Sequence, residues 1–457
     1  MKSNRFVTRL LVNSEKDAVY LWHLHASCFS RSLPSWERAT VVSCEELPGR
    51  QVRVTVFFQG TFRKIKAVFR IHYPVGSQVI KIKEELGSIR ELDFQIEIKA
   101  CGENLYELLE RVEYTLSWKW LFPDFRKHRF EKRLQRFFEY KHDVMIRDLE
   151  LLKKNIKPLK ILVSGGSGLI GSSLIELLKI CGHKITTLVR EKRDGKSNSD
   201  ILFQVDSGEV NRSELEGFDV VVNLWGKSIQ HRWSKKNKEE ILQSREEGTR
   251  QLVKVLGSLR NPPKVFLSAS AIGYYGDHGS DWVDETSQTK GHFFISRVCK
   301  AWEGATDFLK IRGARVVHLR FGVVLSSKKG ALSEIATLIR RGLGSVLGSG
   351  DQYISWIAVD DAACAIYHAI VTENLKGPVN ITSPNPVTNR EFTKKIAAHL
   401  RKSLGPNMPA SLLRFVKGDM AEELLLASTR VSPKKLLESG YEFRYPLLDD
   451  AISHLIF

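Results

Sequence analysis

The sequence predicts an α/β doubly wound parallel sheet, preceded by an α+β unit and followed by a small, mainly helical cap. Three observations carry this. From about residue 158 onward, apolar β runs alternate with helical stretches, the pattern of a parallel sheet covered on both faces. Before that, residues 51–99 hold closely spaced runs in which apolar and polar residues alternate, the mark of half-buried antiparallel strands. A glycine-rich turn, Gly165 to Gly171, then stands between the first apolar run of the later part and the helix that follows it.

The 457 residues, at roughly 150 per domain, fit two or three domains. The expected boundaries are 1–157, 158–400 and 401–457. With 42% hydrophobic and 27% charged residues, the chain is neither disordered nor fibrous. No stretch of about 18 apolar residues exists, so no membrane span is expected. The N-terminal segment has a charge inside its short apolar run and no small-residue cleavage site, so no signal peptide is expected. Six scattered cysteines without a CxxC pair argue against a disulfide framework or zinc site and fit a reducing cytoplasm. The net charge of +18 divides evenly, with 29 basic and 20 acidic residues in 1–157 and 41 and 32 in the rest. Specific nucleic-acid binding usually concentrates its charge, so no nucleic-acid partner is expected.

In chain order, FVTRLLV (6–12) reads as a strand and residues 15–33 as helical, ending near Pro34. The runs QVRVTVFF (51–58), FRKIKAVFRIHY (62–73), SQVIKIKEEL (77–86), DFQIEIKA (93–100) and RVEYTLSWKW (111–120) read as strands. From about Asp124 to Leu152 apolar residues recur at helical spacing, including Phe130, Leu134, Phe138, Met145 and Leu149. One long helix on one face of an antiparallel sheet is an α+β unit able to enclose an apolar cavity. Residues 151–160 form the linker. KILVSGG (160–166), HKITTLVR (183–190), DVVVNLWG (219–226), KVFLSAS (264–270) and RVVHLRFGVVL (315–325) are the apolar β runs of the second unit. Helical stretches at 169–180, 237–258 and 297–312 lie between them.

The glycine turn is GxxGxxG, directly after a strand and opening a helix, the context of a Rossmann-type dinucleotide site. Gly165 permits the tight turn. Gly168 lets the backbone approach a pyrophosphate at the positive helix N-terminus, and Gly171 allows close packing of helix on strand. Ser167, Leu169 and Ile170 complete the candidate loop. An NAD site wants a carboxylate at the end of the second strand for the ribose 2′-hydroxyl. Here Val189 and Arg190 stand instead, and a guanidinium grips a 2′-phosphate. NADP(H) is therefore expected over NAD(H). Leu224, Trp225 and Gly226 lie where the sheet passes under the adenosine; Trp225 either shields the cofactor or fills the neighbouring core.

Eight motifs in order, among them GGSGLIG, NLWG, SxSAIGYYGD (268–277), CKAWE (299–303), RFGVVL (320–325) and GSGDQYISWIAVDD (348–361), carry a family resemblance. The later part resembles an atypical branch of the extended short-chain dehydrogenase/reductases, the epimerase family of NAD-dependent epimerase/dehydratase-like proteins, C-terminal extension included. PSWE (34–37), RVEYTL (111–116) and FFEYKHDVMIRDL (137–149) give residues 1–157 a looser likeness to START-like, polyketide-cyclase-type helix-grip domains.

The resemblance implies an oxidoreductase-like protein acting on a small molecule. Related hydride enzymes use a Ser together with a Tyr four residues before a Lys. Ser270 matches the Ser, but Ile295 and Cys299 occupy the Tyr and Lys positions. An ordinary nucleotide-sugar epimerase or dehydratase route is thereby disfavoured, and a cofactor-binding regulatory protein without turnover is the competing reading. Tyr274 and Tyr275, in the loop beyond Ser270, are the replacement acids. Cys299 is a candidate thiolate if its pKa is depressed. Gln352 and Trp356 are expected on the substrate side, and the 13 histidines show no metal-ligand spacing.

Overall fold

The computed structural model describes residues 4–456 except 38, 49–50, 60–63, 73–78, 87–91, 116–122, 155, 192–199, 205–208 and 231. Parts of the expected strands 62–73, 77–86 and 111–120 lie outside the described residues. The chain divides into two compact units, Met1–Lys157 and Pro158–Phe457.

Alternation builds the first unit. Strands β1 (Asn4–Asn13), β2 (Ala39–Leu47), β3 (Gln51–Gln59), β4 (Lys64–His72), β5 (Val79–Leu86), β6 (Leu92–Gly102) and β7 (Leu105–Tyr114) form one sheet. Its order is β1-β7-β6-β5-β4-β3-β2, and every pairing is antiparallel. Val52, Val54 and Val56 are buried, and the residues between them point the other way, as a period of two requires. The helix α3 (Pro123–Leu152) follows, with Phe138, Val144, Met145 and Leu149 buried. Its Phe138 packs with Val112 and Tyr114 of β7.

Two features of this unit differ from the sequence expectation. Residues 15–33 form two helices, α1 (Lys16–Leu24) and α2 (Ala26–Ser32), broken at extended His25, whose side chain accepts the Ser27 N–H and caps the second. The interior also holds paired charges, not hydrocarbon alone. Asp148 of α3 is fully buried and accepts hydrogen bonds from Arg31 (Nε 3.0 Å, Nη2 2.7 Å) and Trp22 (Nε1 3.2 Å). Glu110 is equally buried and is paired with Lys141 and His142. These pairs tie α1, α2 and α3 to one another and α3 to the sheet, since an unpaired buried charge is too costly to keep.

The second unit is a seven-stranded parallel sheet. Its strands are β8 (Lys160–Ser164), β9 (Lys184–Val189), β10 (Asp200–Leu202), β11 (Val220–Asn223), β12 (Val265–Ala271), Arg315–Phe321 and Gly377–Ile381. The order is β10-β9-β8-β11-β12, then Arg315–Phe321, then Gly377–Ile381. Helices α4 (Leu169–Ile180), α5 (Lys235–Gly257) and α6 (Phe294–Gly304) belong to this unit. The central strands are continuously apolar (Ile161, Leu162, Val163; Val220, Val221, Val222) because both faces are buried. The strand order reverses between β8 and β11, which opens a crevice at their carboxyl ends. Residues beyond 401 do not stand apart. Helix Leu448–Leu455 shares a core with Trp356, Phe392 and Ile396. Asp361 accepts the Tyr445 and Arg444 backbone N–H groups (2.8 and 2.7 Å). Among the described residues, no helix is long and apolar enough to cross a membrane.

Burial, together with the nearby Lys141 charge, pushes the His23 imidazole down to about 3 from an ordinary 6.5, with Glu110 and His142 also facing it. Below pH 6.5 the unfolded chain takes up a proton that the folded chain refuses until about pH 3, so stability is lost as pH falls through that window. We expect fragment 1–157, expressed alone, to unfold cooperatively and to lose about 1–2 kcal/mol between pH 7 and 5. The pH slope should shrink in His23→Gln. An unfolded fragment counts against an independent unit, and a stability flat in pH counts against a neutral buried His23.

Candidate active site

The chain leaves β8 at Ser164 and turns at Gly165, where φ is +72°. A side chain there is excluded twice over: the conformation is left-handed, and a Cβ would stand 2.7 Å from the Leu224 carbonyl oxygen. Gly171, in the first turn of α4, is held as tightly, since a Cβ would lie 2.3 Å from the Gly165 carbonyl oxygen. Gly168 donates its N–H to that same oxygen at 2.9 Å and opens the helix without a side-chain cap. The first N–H groups of a helix have no partners within it, and they carry its positive end. Ser167 is exposed at the tip, and Leu169 and Ile170 are half-buried in the first turn. This cradle, closed to any Cβ and lined by helix N–H groups, fits the diphosphate of a dinucleotide.

The neighbouring strand ends set what stands beside it. Leu224 donates its N–H to the Ser164 backbone oxygen (3.3 Å) and to Ser164 Oγ (3.2 Å), which fixes the crevice between β8 and β11. β9 ends at half-buried Val189, and exposed Arg190 follows. Its guanidinium lies 5.9 Å from the centroid of Trp225. Trp225 is buried against Phe203, ring centroids 5.4 Å apart. Trp225 thus packs in the core with Arg190 over its ring. Exposed Gly226 is covered by the Arg245 guanidinium of α5; a Cβ on Gly226 would meet its Cζ at 3.0 Å.

At the other end of the crevice, Ser270 closes β12 and is buried. Its hydroxyl donates to Glu303 Oε1 at 2.8 Å. Glu303 also receives both arms of Arg320, Nε to Oε1 at 2.8 Å and Nη2 to Oε2 at 2.9 Å. Burial pushes the Glu303 carboxyl up, but the Arg320 hydrogen bonds and charge outweigh it and hold the group below the usual range. Arg320 Nη1 donates to the Tyr275 hydroxyl at 3.1 Å, and that hydroxyl donates to Asn380 Oδ1 at 2.7 Å. One network thus joins α6 to the carboxyl ends of three adjacent strands.

The two tyrosines part company here. Tyr275 is fully buried with its hydroxyl spent in the network, and burial pushes its pKa up to about 12. It is a neutral hydrogen-bonding phenol and cannot serve as a base near neutrality. Tyr274 is half-buried, with the Arg320 guanidinium 3.5 Å and Lys300 Nζ 6.0 Å from its ring centroid. Its hydroxyl has no hydrogen-bond partner among the described residues and is not enclosed. Ile295 and Cys299 are buried in an apolar cluster with Trp233, Phe294 and Val298. Burial, with Glu303 nearby, pushes Cys299 up to about 12, which corrects the thiolate expectation.

Both residues expected on the substrate side are packed into the frame. Trp356 is completely buried and donates Nε1 to the Asn385 carbonyl at 3.0 Å. Gln352 is buried and donates to the carbonyls of Leu347 (3.1 Å) and Leu425 (3.0 Å). Both hold the frame together. Glu303, Arg320, Asn380 and Arg245 were not singled out from sequence. Glu303 and Arg320 fall inside motifs that were, CKAWE and RFGVVL, and a charge within such a run was the available signal. Among the described residues, no group of three or more His, Cys, Asp or Glu is placed to hold a metal ion.

The sequence matches the NAD dependent epimerase/dehydratase family over residues 161–382 and a domain of unknown function, DUF1731, over 408–455. It is 35% identical over 299 residues to the epimerase family protein YfhF of Bacillus subtilis, covering 65% of this chain and 98% of that one. Among solved structures, it resembles human epimerase family protein SDR39U1 with NADPH (30% identity, TM-score 0.58, 65% of this chain and 99% of that one). It also resembles a nucleoside-diphosphate sugar epimerase from Corynebacterium glutamicum (26% identity, TM-score 0.80), over 98% of this chain and 90% of that one.

Glu303→Gln leaves the Arg320 guanidinium buried without its counter-charge. We expect a loss of about 3 kcal/mol in denaturant unfolding of the full chain, the lower end for breaking a buried pair. A change below about 0.5 kcal/mol, the scale of surface substitutions, would show that the pair does not hold the site.

Proposed function

The chain belongs to the NAD dependent epimerase/dehydratase family, and on that premise we propose that it is an NADP(H)-binding, oxidoreductase-like protein acting on a small molecule. The observation that carries this reading is the glycine cradle beside a second strand that ends at Val189, where no carboxylate stands, with Arg190 next and Glu191 after it. A 2′-phosphate offers Arg190 a charge-assisted, bidentate partner, whereas a bare 2′-hydroxyl offers it one neutral acceptor. The nicotinamide, when bound, supplies hydride chemistry. Gly165, Gly168 and Gly171, with Ser167, Leu169 and Ile170, hold the diphosphate; Val189, Arg190, Leu224, Trp225 and Gly226 border the adenosine side.

The phenol of Tyr274 is the group available to give a proton to a substrate oxygen, because its hydroxyl is unspent. Ser270 and Tyr275 act as positioning residues: Glu303 and Arg320 hold them, and the Arg320 guanidinium in turn stands over the Tyr274 ring. The nucleotide-sugar epimerase route by a Tyr–Lys pair has no support, since Ile295 and Cys299 are buried apolar groups. Regulation by cofactor binding without turnover is the second reading. It is favoured by the internal commitment of the Ser270 and Tyr275 hydroxyls. The N-terminal unit, a sheet with one long helix, supports a helix-grip ligand domain. An apolar ligand between its sheet and helix is the partner that this reading implies. Six free thiols support a reducing cytoplasm.

NADPH should bind more tightly than NADH in calorimetry, and Arg190→Asp should cost NADPH about 1–3 kcal/mol with little effect on NADH. Equal wild-type affinities would remove the NADP assignment. Across a panel of carbonyl substrates, Tyr274→Phe should slow hydride transfer by about 10²–10⁴-fold. Tight NADPH binding with no turnover on any of them favours the regulatory reading.

A further inference from the structure

Arg430 has no assigned role, and its surroundings are unusual for a guanidinium. It is half-buried, and two aromatic rings pack on it: Cζ stands 4.2 Å from the Trp282 centroid and 4.6 Å from the Tyr353 centroid. Contacts of this kind hold a guanidinium by its π-surface and leave its N–H groups unspent. Nε is enclosed without a hydrogen-bond partner, and the side chain forms no hydrogen bond or ion pair with another described residue. An enclosed donor without a partner is a cost to the fold, and in a native structure it calls for a reason.

The neighbouring segments repeat the pattern. Among the described residues of the second unit, five side chains hold an enclosed polar atom without a partner: His278, Glu285, Thr289, Thr382 and Arg430. They come from three segments that are tied together. Trp282–Val283 pairs in parallel with Arg430–Val431. His278 donates its N–H to the Ser428 carbonyl at 2.9 Å, and Thr429 Oγ1 donates to the Gly276 carbonyl at 2.8 Å. Glu285 Oε1 accepts the Asn380 N–H at 3.0 Å, two residues before Thr382. Residues 276–289 follow the carboxyl end of β12, and Thr382 follows that of Gly377–Ile381. This is the end at which an open α/β sheet takes its ligand. We propose that Arg430 is the anion site for the substrate, and that the substrate is a small molecule bearing a carboxylate or phosphate group. Two oxygens of that group would meet the N–H fork in a charge-assisted, bidentate contact. The Trp282 and Tyr353 rings hold the fork in place, and Trp282, half exposed, leaves the site open to solvent.

This inference rests on the reading of a cofactor-dependent protein with a small-molecule substrate. Calorimetry on the full chain, with NADP present to fill the cofactor cradle, would titrate inorganic phosphate and, separately, acetate. The wild-type chain should bind at least one of them, and the tighter of the two tells a phosphate from a carboxylate substrate. Arg430→Gln should weaken that anion about 10–100-fold, the range for a lost charge-assisted contact. Its NADP affinity should stay within about twofold, as for a distant, independent site. Should Arg430→Gln fail to fold, Arg430→Lys carries the test: it keeps the charge and loses the fork, so the anion should weaken by a smaller factor. A wild-type chain that binds NADP but neither anion overturns the proposal while the cofactor reading stands. Anion affinity unchanged in the Arg430 variants does the same. A wild-type chain that does not bind NADP overturns the cofactor reading, and the substrate role of Arg430 with it.

Discussion

A carboxylate cannot be buried where α6 meets the strand ends of a parallel sheet unless a cation goes in with it. The Glu303–Arg320 pair meets that requirement, and most of the reaction end is arranged around it. Glu303 takes both arms of Arg320 and the Ser270 hydroxyl. Arg320 spends its third arm on Tyr275, and Tyr275 reaches Asn380 on the last strand. Each contact satisfies a group that would otherwise be buried unpaired, so removing one member exposes the others to that cost. The arrangement explains why neighbouring tyrosines differ in kind. Tyr275 is drawn inward as a structural donor. Tyr274 is left with the Arg320 guanidinium on its ring and its hydroxyl open.

The cofactor end obeys a different constraint, one of backbone proximity. Gly165, Gly171 and Leu224 approach so closely that the crevice between β8 and β11 has no room for side chains. Selectivity is therefore left to residues on its rim. Arg190 and Arg245 sit at two separate points of that rim, each laid on an aromatic ring, Trp225 and Trp302.

What could be read from sequence follows the range of the interaction responsible. The alternating runs of 51–99 and the continuous apolar runs of β8 and β11 report local burial, and both sheets were legible from them. The glycine spacing was legible because the backbone geometry admits no other residue. Strand β2, ATVVSCEEL, has too ragged an alternation to announce itself. The break at His25 depends on a cap, and β7 begins at Leu105, ahead of the expected 111. The Glu303–Arg320 pair, 17 residues apart on a helix and a strand, is invisible until the fold brings them together. An aromatic and an amide near a site, such as Trp356 and Gln352, look alike in sequence whether they face the crevice or brace it. Here both brace it, through carbonyls 29 and 73 residues away.

The central claim is that this crevice holds a dinucleotide by its 2′-phosphate as well as by its diphosphate. Phosphorus NMR of NADP titrated with the full chain reads both groups in one spectrum. The diphosphate and 2′-phosphate resonances should both move on binding. The bound 2′-phosphate should also stay dianionic to a lower pH than the free one, which titrates at about 6, because Arg190 favours the charged form. A diphosphate that moves while the 2′-phosphate keeps its free position and free titration would contradict it.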